Sequence, residues 1–188
     1  MKAIYYIFIL AACVFINSCD NANHKEKSSK IPDQKMITTK KILSDPDYKA
    51  ISYGGYRHKT RKKQPTVPQL KQDLKILDAM GIKILRTYNV HLPHAANVLK
   101  AIKELKEEDS SFEMYVMLGA WIDCKNAWTD QPLNHNEESE KNKDEIARAV
   151  ELTNKYPDIV KILAVGNEAM VKWATAYYVE PHIILKWV

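Results

Sequence analysis

The chain has 188 residues, 46% of them hydrophobic and 27% charged, with a formal net charge of +5. Those fractions suit a globular domain and exclude a disordered, fibrous or multi-span membrane chain. The small positive balance selects no partner. The one dense basic stretch, His58–Lys63, lacks the interleaved aromatics of a single-strand nucleic-acid binder, so it reads as a solvated loop and no nucleic-acid partner is expected.

At the amino terminus Lys2 precedes an apolar run from Ala3 to Ile16. The run is shorter than the about 20 residues a membrane-spanning helix needs, and it fits the core of a secretory signal peptide over residues 1–18. It closes with Ile16-Asn17-Ser18-Cys19, which resembles the bacterial lipoprotein box, in which a small residue precedes a Cys that is lipidated and becomes the mature N-terminus. The expected location is therefore the bacterial cell envelope, anchored through lipid at Cys19 to the outer membrane, on its periplasmic or surface side. Ordinary cleavage with a free Cys, or an uncleaved anchor, are the alternatives. Cys13 leaves with the signal and Cys19 carries lipid, so Cys124 stands alone and no disulfide can form within one mature chain. Residues 19–47 are polar, rich in Lys, Ser, Asn and Asp, and have no sustained apolar period, as expected of a flexible tether.

Beyond the tether a pattern repeats. Ala50–Tyr56 reads as a strand, and Val67–Met80 as a helix with Val67, Leu70, Leu74 and Leu77 on one face, Pro68 near its start and Gly81 as its stop. Ile82–Tyr88 is the next strand, and Ala95–Glu107 the next helix, with Ala95, Val98, Ile102 and Leu105 as its stripe. Phe112–Ile122 is a third strand, apolar nearly throughout, as where both faces are covered. A third helix is expected to start near Asn142, whose side chain caps it while Glu145 reaches back, and to bury Ile146, Ala149, Val150 and Thr153. Pro157 ends it, Ile159–Val165 is a fourth strand, and Pro181–Val188 a fourth helix.

Strands alternating with helical crossovers make a parallel sheet, either doubly wound or barrel-like. The turn after the first strand, Gly54-Gly55-Tyr56-Arg57, runs into a Lys-rich, Pro-containing loop, so the glycine-opened phosphate signature is absent. Tyr53, Arg86, Tyr88, Asn89, Trp121, Asp123, Asn167 and Glu168 all fall at or just past the carboxyl ends of strands, where barrel enzymes build their sites.

Tyr53-Gly54 on the first strand, Arg86-Thr87-Tyr88 on the second and Val165-Gly166-Asn167-Glu168 on the fourth, continuing as Ala169-Met170-Val171-Lys172-Trp173-Ala174, resemble the signature positions of family 17 glycoside hydrolases, in particular bacterial lipoprotein-type β-1,3-glucanases and glucanosyltransferases. The resemblance covers roughly residues 50–188 and implies an α/β fold, the first half of a (β/α)8 TIM barrel over residues 48–188. It further implies retaining cleavage or transfer of β-1,3-glucans, with no cofactor and no metal. In that chemistry one carboxyl group protonates the leaving oxygen while a second, about 5–5.5 Å away, attacks the anomeric carbon. By the resemblance Glu168 is the acid/base, which partial burial would help keep protonated. Asn167 would bond the sugar 2-hydroxyl, Arg86 and Tyr88 would orient carboxylates and glycan, and Tyr53 and Trp121 would contact substrate.

Each residue also has a structural reading. Asn167-Glu168 could cap the following helix, Arg86 could serve a buried ion pair, and Tyr53 and Trp121 could fill the core. His91 and His94 have a metal-like spacing, but no third ligand is placed and a loop and helix start is expected. The stretch from Asp123 to Lys141 is either a substrate-gripping loop or a variable insertion. The family's nucleophile sits on a seventh strand, and a full barrel takes about 250 residues. The chain is therefore expected to be an amino-terminal fragment, truncated after its fourth strand and inactive alone. A non-catalytic surface glycan-binding lipoprotein and a non-functional remnant are the alternatives.

If Cys19 carries the anchor, Cys19→Ala releases the protein from membranes into the soluble fraction, measured by detergent partitioning. A native chain that partitions as a soluble species rules the anchor out.

Overall fold

The computed structural model describes residues 37–188; the signal peptide, Cys19 and residues 19–36 of the tether lie outside the described residues. Four strands form one parallel sheet: β1 (Lys49–Ser52), β2 (Ile82–Arg86), β3 (Tyr115–Ala120) and β6 (Val160–Val165). Their spatial order is β1-β2-β3-β6. Each new strand joins the same edge, without the reversal that creates the crevice of a doubly wound sheet. Between β3 and β6 a short antiparallel ribbon intervenes, β4 (Cys124–Lys125) with β5 (Asn134–Glu138). It occupies the segment expected to be a loop.

The crossover helices are α2 (Val67–Ala79), α3 (Pro93–Glu108) and α4 (Lys141–Lys155). Thr66 caps α2 through a reciprocal pair: its Oγ1 accepts from Gln69 N (3.4 Å), and Thr66 N donates to Gln69 Oε1 (3.0 Å). These bonds satisfy amide groups that a helix start leaves orphaned. Gly81 ends α2 at φ +77°, a conformation open to glycine without steric cost. Leu70 and Leu74 of α2, and Val98, Ile102 and Leu105 of α3, meet Leu85 of β2 and Val116 and Leu118 of β3 in the main core. The expected stripes of α2 and α3 are therefore the ones that pack.

α4 departs from expectation. Its buried positions are Asn142, Glu145, Ala149 and Leu152, whereas Val150 is 45% exposed. The spacing is helical, but the head of the stripe is polar and so escapes a reading by hydrophobicity. No side chain caps α4, and the expected box between Asn142 and Glu145 is not formed. β1 is also shorter than its apolar run, because Gly55 at φ +62° turns the chain away shortly after Tyr53 N donates to Arg86 O (3.0 Å).

Residues 37–47, assigned to the tether, contain the helix α1 (Thr39–Ser44). Ile42 packs on Ile84 and Tyr115, outside the main core cluster, and Thr39 Oγ1 donates to Lys161 O (2.9 Å). A helix this short gains its stability from docking, so nothing in its own sequence announces it. Among the described residues no helix is long and apolar enough to cross a membrane. α5 (Pro181–Leu185) closes a second cluster of Ile122, Cys124, Ala127, Ala169, Val179 and Ile183 beside the ribbon.

Gly119 marks the closest approach in the sheet. A Cβ there would lie 2.8 Å from the carbonyl carbon and 2.9 Å from the Cα of Tyr88, which are backbone atoms with no rotamer to yield. Gly119→Ala should therefore destabilise the fold by about 3 kcal/mol or displace Tyr88. Urea unfolding measures the first and loss of the Tyr88 position the second; an unchanged midpoint with Tyr88 in place contradicts the close approach.

Candidate active site

The carboxyl ends of β2, β3 and β6 bring together most of the residues singled out from the sequence. β6 ends at Val165, and Gly166 at φ +81° turns the chain with its N–H on Ala120 O (2.9 Å). Asn167 follows, only 5% exposed, and Arg86 at the end of β2 donates from Nη2 to its Oδ1. The same guanidinium lies 5.7 Å from the ring centroid of Tyr88. Arg86 makes no ion pair among the described residues, which removes its structural alternative there. Asn167 Nδ2 is buried without a partner among them. A buried amide donor left unpaired costs about 1–3 kcal/mol, and sites of this kind commonly receive a ligand acceptor.

Glu168 is exposed rather than partly buried, and its φ of +55° lies in the left-handed region that residues other than glycine seldom occupy. The turn through residues 166–170 does not open a regular helix, so the capping alternative for Asn167-Glu168 is not what forms. Tyr53 is placed elsewhere. It is 8% exposed, sits in the main core and donates its hydroxyl to Asp73 Oδ2 (2.7 Å), and Arg57 pairs with the same carboxylate, Nη1 on Oδ2 (2.8 Å) and Nη2 on Oδ1 (2.5 Å). It does not line the cleft described next.

Trp121, just past β3, belongs to a second group of residues around a cleft of 720 Å³. Its ring lies 6.4 Å from Trp128 and 5.4 Å from Tyr177, and Trp128 and Tyr177 meet edge to face at 5.1 Å. Asp123 Oδ1 accepts both indole N–H groups, from Trp121 (2.6 Å) and Trp128 (2.9 Å). Glu168, Asn167 and Arg86 do not line this cleft.

The first turns of α4 hold these strand ends. Glu145, 5% exposed, accepts Val90 N (2.7 Å) and Trp121 N (2.9 Å) and faces His91 Nδ1 (3.1 Å). Burial pushes its carboxyl pKa up, but His91 and the two amides outweigh burial and leave it below the usual glutamate value. Asn142 clamps the backbone of Asp123 from both sides, accepting its N–H and donating to its C=O, each at 2.9 Å. Sequence reasoning missed both roles, and it missed Tyr177. The signal for the clamps was available as polar residues at 142 and 145 in register with Ala149 and Leu152 on one helix face.

The two histidines separate. His91 pairs with Glu145, whereas His94 is buried in the core, stacked on Tyr56 at 5.4 Å and beside Tyr53 at 5.8 Å. Cys124 is free and fully buried, and burial, with Asp123 next to it, pushes its thiol pKa up.

No family model matches the chain, and no curated protein matches it. A solved structure does: the crystal structure of an endo-laminarinase from Formosa Hel1_33_131, 67% identical in sequence with a TM-score of 0.79. The match covers 80% of this chain and 38% of that one, so the chain spans less than half the length of the protein it resembles.

His94 generates an acid sensitivity. Burial lowers its pKa from 6.5 to about 4, so the unfolded chain takes up a proton before the folded one. The stability this group allows is complete above pH 6.5 and falls as the pH drops toward 4, by on the order of 3 kcal/mol. Glu145, depressed in the fold, adds a further loss below the ordinary glutamate pKa of 4.5. Urea midpoints should therefore decline steeply below pH 6.5 in the wild type and less steeply in His94→Phe. Parallel pH profiles for the two proteins would show that His94 is protonated in the fold.

Proposed function

We propose that this chain carries the acid/base half of a glycoside hydrolase active site acting on β-1,3-glucans, of the family 17 type. The observation that carries the reading is the 67% identity to an endo-laminarinase, together with the Arg86–Asn167 hydrogen bond at the strand ends, directly before Glu168 in the chain. A (β/α)8 barrel is the architecture proposed for the whole protein, and a singly wound parallel sheet is compatible with it.

In the proposed reaction Glu168 donates its proton to the glycosidic oxygen as the bond to the anomeric carbon breaks. A second carboxylate, assigned to a later barrel strand, forms the glycosyl-enzyme, and Glu168 then deprotonates the incoming water or sugar hydroxyl. The configuration at the anomeric carbon is retained. Exposure of Glu168 suits a group that must reach both the leaving oxygen and the incoming acceptor. Asn167 Nδ2, the buried donor without a partner, is the group proposed to bond the 2-hydroxyl, a contact that strengthens as the ring becomes oxocarbenium-like. Arg86 fixes Asn167 from the other side and supplies positive charge that a carboxylate nucleophile can use. Lipid anchoring through Cys19 in the bacterial envelope remains part of the proposal, placing the enzyme where polymeric glucan is met.

A chimera tests the reading. Residues 1–188 are joined to the part of the Formosa protein that the match leaves uncovered, and reducing ends released from laminarin are measured. The chimera should be active, the chain alone inactive, and Glu168→Gln in the chimera slower by about 10²–10⁴-fold. On a substrate with an activated leaving group the mutant should still form the glycosyl-enzyme, and azide should release a glycosyl azide of retained configuration. Near wild-type turnover of laminarin by Glu168→Gln overturns the acid/base assignment. An inactive but folded chimera that still binds laminarin favours the non-catalytic glycan-binding alternative.

A further inference from the structure

Glu145 is buried on α4, yet its side-chain hydrogen bonds go neither to the sheet nor to its own helix. Its Oε1 alone accepts Val90 N (2.7 Å) from the loop after β2 and Trp121 N (2.9 Å) from the loop after β3. Two loops that hang on one oxygen are held within two hydrogen-bond lengths of each other. Oε2 faces His91 Nδ1 (3.1 Å), so both oxygens are used. Support of the fold does not require this arrangement. Ala149 and Leu152 continue the same buried face of α4, and an apolar residue at 145 would pack there without the desolvation cost of a charge only 5% exposed.

Trp121 is fixed from α4 twice. Its backbone N–H ends on Glu145, and its indole N–H ends on Asp123 Oδ1 (2.6 Å), a residue whose backbone Asn142 holds by both its N–H and its C=O (2.9 Å each). Asn142 and Glu145 are neighbours on one face of the helix. Val90, the other group on Oε1, lies two residues past Tyr88, whose ring stands beside the Arg86 guanidinium. The surrounding charges do not replace this link. Arg61, Lys141, Asp144 and Arg148 line the same cleft, but among the described residues only His91 comes within ion-pair distance of Glu145. The loops are held by a shared acceptor rather than by a network of ions.

We propose that Glu145 is a positioning residue for substrate binding: from α4, outside the sheet, it locks the loops after β2 and β3 to each other and so sets the direction of Trp121. This inference rests on the glucan reading above, in which Tyr88 and Trp121 meet the glycan, and deepens it by assigning their orientation to a side chain that need not touch the substrate. The contribution of Glu145 is the place of its Oε1, and its charge is secondary.

Three variants test it. Glu145→Gln keeps an oxygen at the place of Oε1 and loses the charge, Glu145→Asp keeps the charge and draws it back by one methylene, and Glu145→Ala removes both. In the chimera described above, Glu145→Ala and Glu145→Asp should raise KM for laminarin about tenfold with kcat within about threefold of wild type, whereas Glu145→Gln should stay within about threefold in both. In the full chain, hydrogen exchange at the Val90 and Trp121 amides should accelerate together by about a hundredfold in Glu145→Ala and Glu145→Asp and not in Glu145→Gln. Val116 N–H, bonded to Ile159 O (2.9 Å) in the sheet, should keep its rate in all three. Where Glu145→Ala does not fold, Glu145→Asp and Glu145→Gln carry the comparison. Equal acceleration at Val116, Val90 and Trp121 reports a loss of stability alone and overturns the proposal. So do wild-type KM in folded Glu145→Asp, and Glu145→Gln as impaired as Glu145→Asp. A wild-type chimera without laminarin activity counts against the glucan reading, and the exchange pattern then decides separately whether Glu145 fixes the loops.

Discussion

One buried carboxylate organises the working end of this sheet. Glu145 stands on α4, packed behind β3 and β6, and reaches the loops that leave β2 and β3 through the N–H groups of Val90 and Trp121. A charge only 5% exposed is expensive unless its oxygens are occupied, and here two amides and His91 occupy them. Removing the carboxylate would strand two amides in a place water does not fill. Asn142, one turn earlier, fixes the next stretch through the backbone of Asp123. The directions of Trp121 and Asp123 are thus set by a helix outside the sheet rather than by their own loop.

A second constraint acts between strands that are not neighbours. β3 lies between β2 and β6, yet Arg86 reaches Asn167 across it. Gly119 admits the backbone of Thr87 and Tyr88 against β3, and Thr87 Oγ1 receives Gly119 N (3.1 Å). Absence of a side chain at that point is what lets the end of β2 lean over β3.

The segment after β6 couples the two halves of the site. Asn167 and Glu168 stand at its start and Tyr177 near its end, and Val179 N closes it on Ala169 O (2.7 Å). Its far side is tied to the ribbon by Glu180 N on His135 O (3.1 Å) and by Trp187 Nε1 on Glu138 Oε2 (2.8 Å). The proposed acid/base and Tyr177 are therefore carried by one excursion of the chain, so a shift of this segment moves both.

The alternation of strands and helices was legible in the sequence because burial of a regular element repeats with that element's own period. The stripes of Leu70 and Leu74 and of Val98, Ile102 and Leu105, the stop at Gly81, and the gathering of Arg86, Tyr88, Trp121 and Asn167 at strand ends all follow from local pattern and strand direction alone. The docking of α1 was not legible, since Ile42 is one apolar residue whose partners, Ile84 and Tyr115, are distant in sequence. Nor were the exposure of Val150 and the burial of Glu145, which depend on which helix face meets polar loop amides. Tyr53 looked like a site residue because it sits at a strand end, and became a core residue because Asp73 arrives from α2 to accept its hydroxyl, with Arg57 from the loop before α2 pairing the same carboxylate. Periodicity is a property of one element and can be read from it; satisfaction of a buried polar group needs a partner from another element, and only the folded chain brings that partner near.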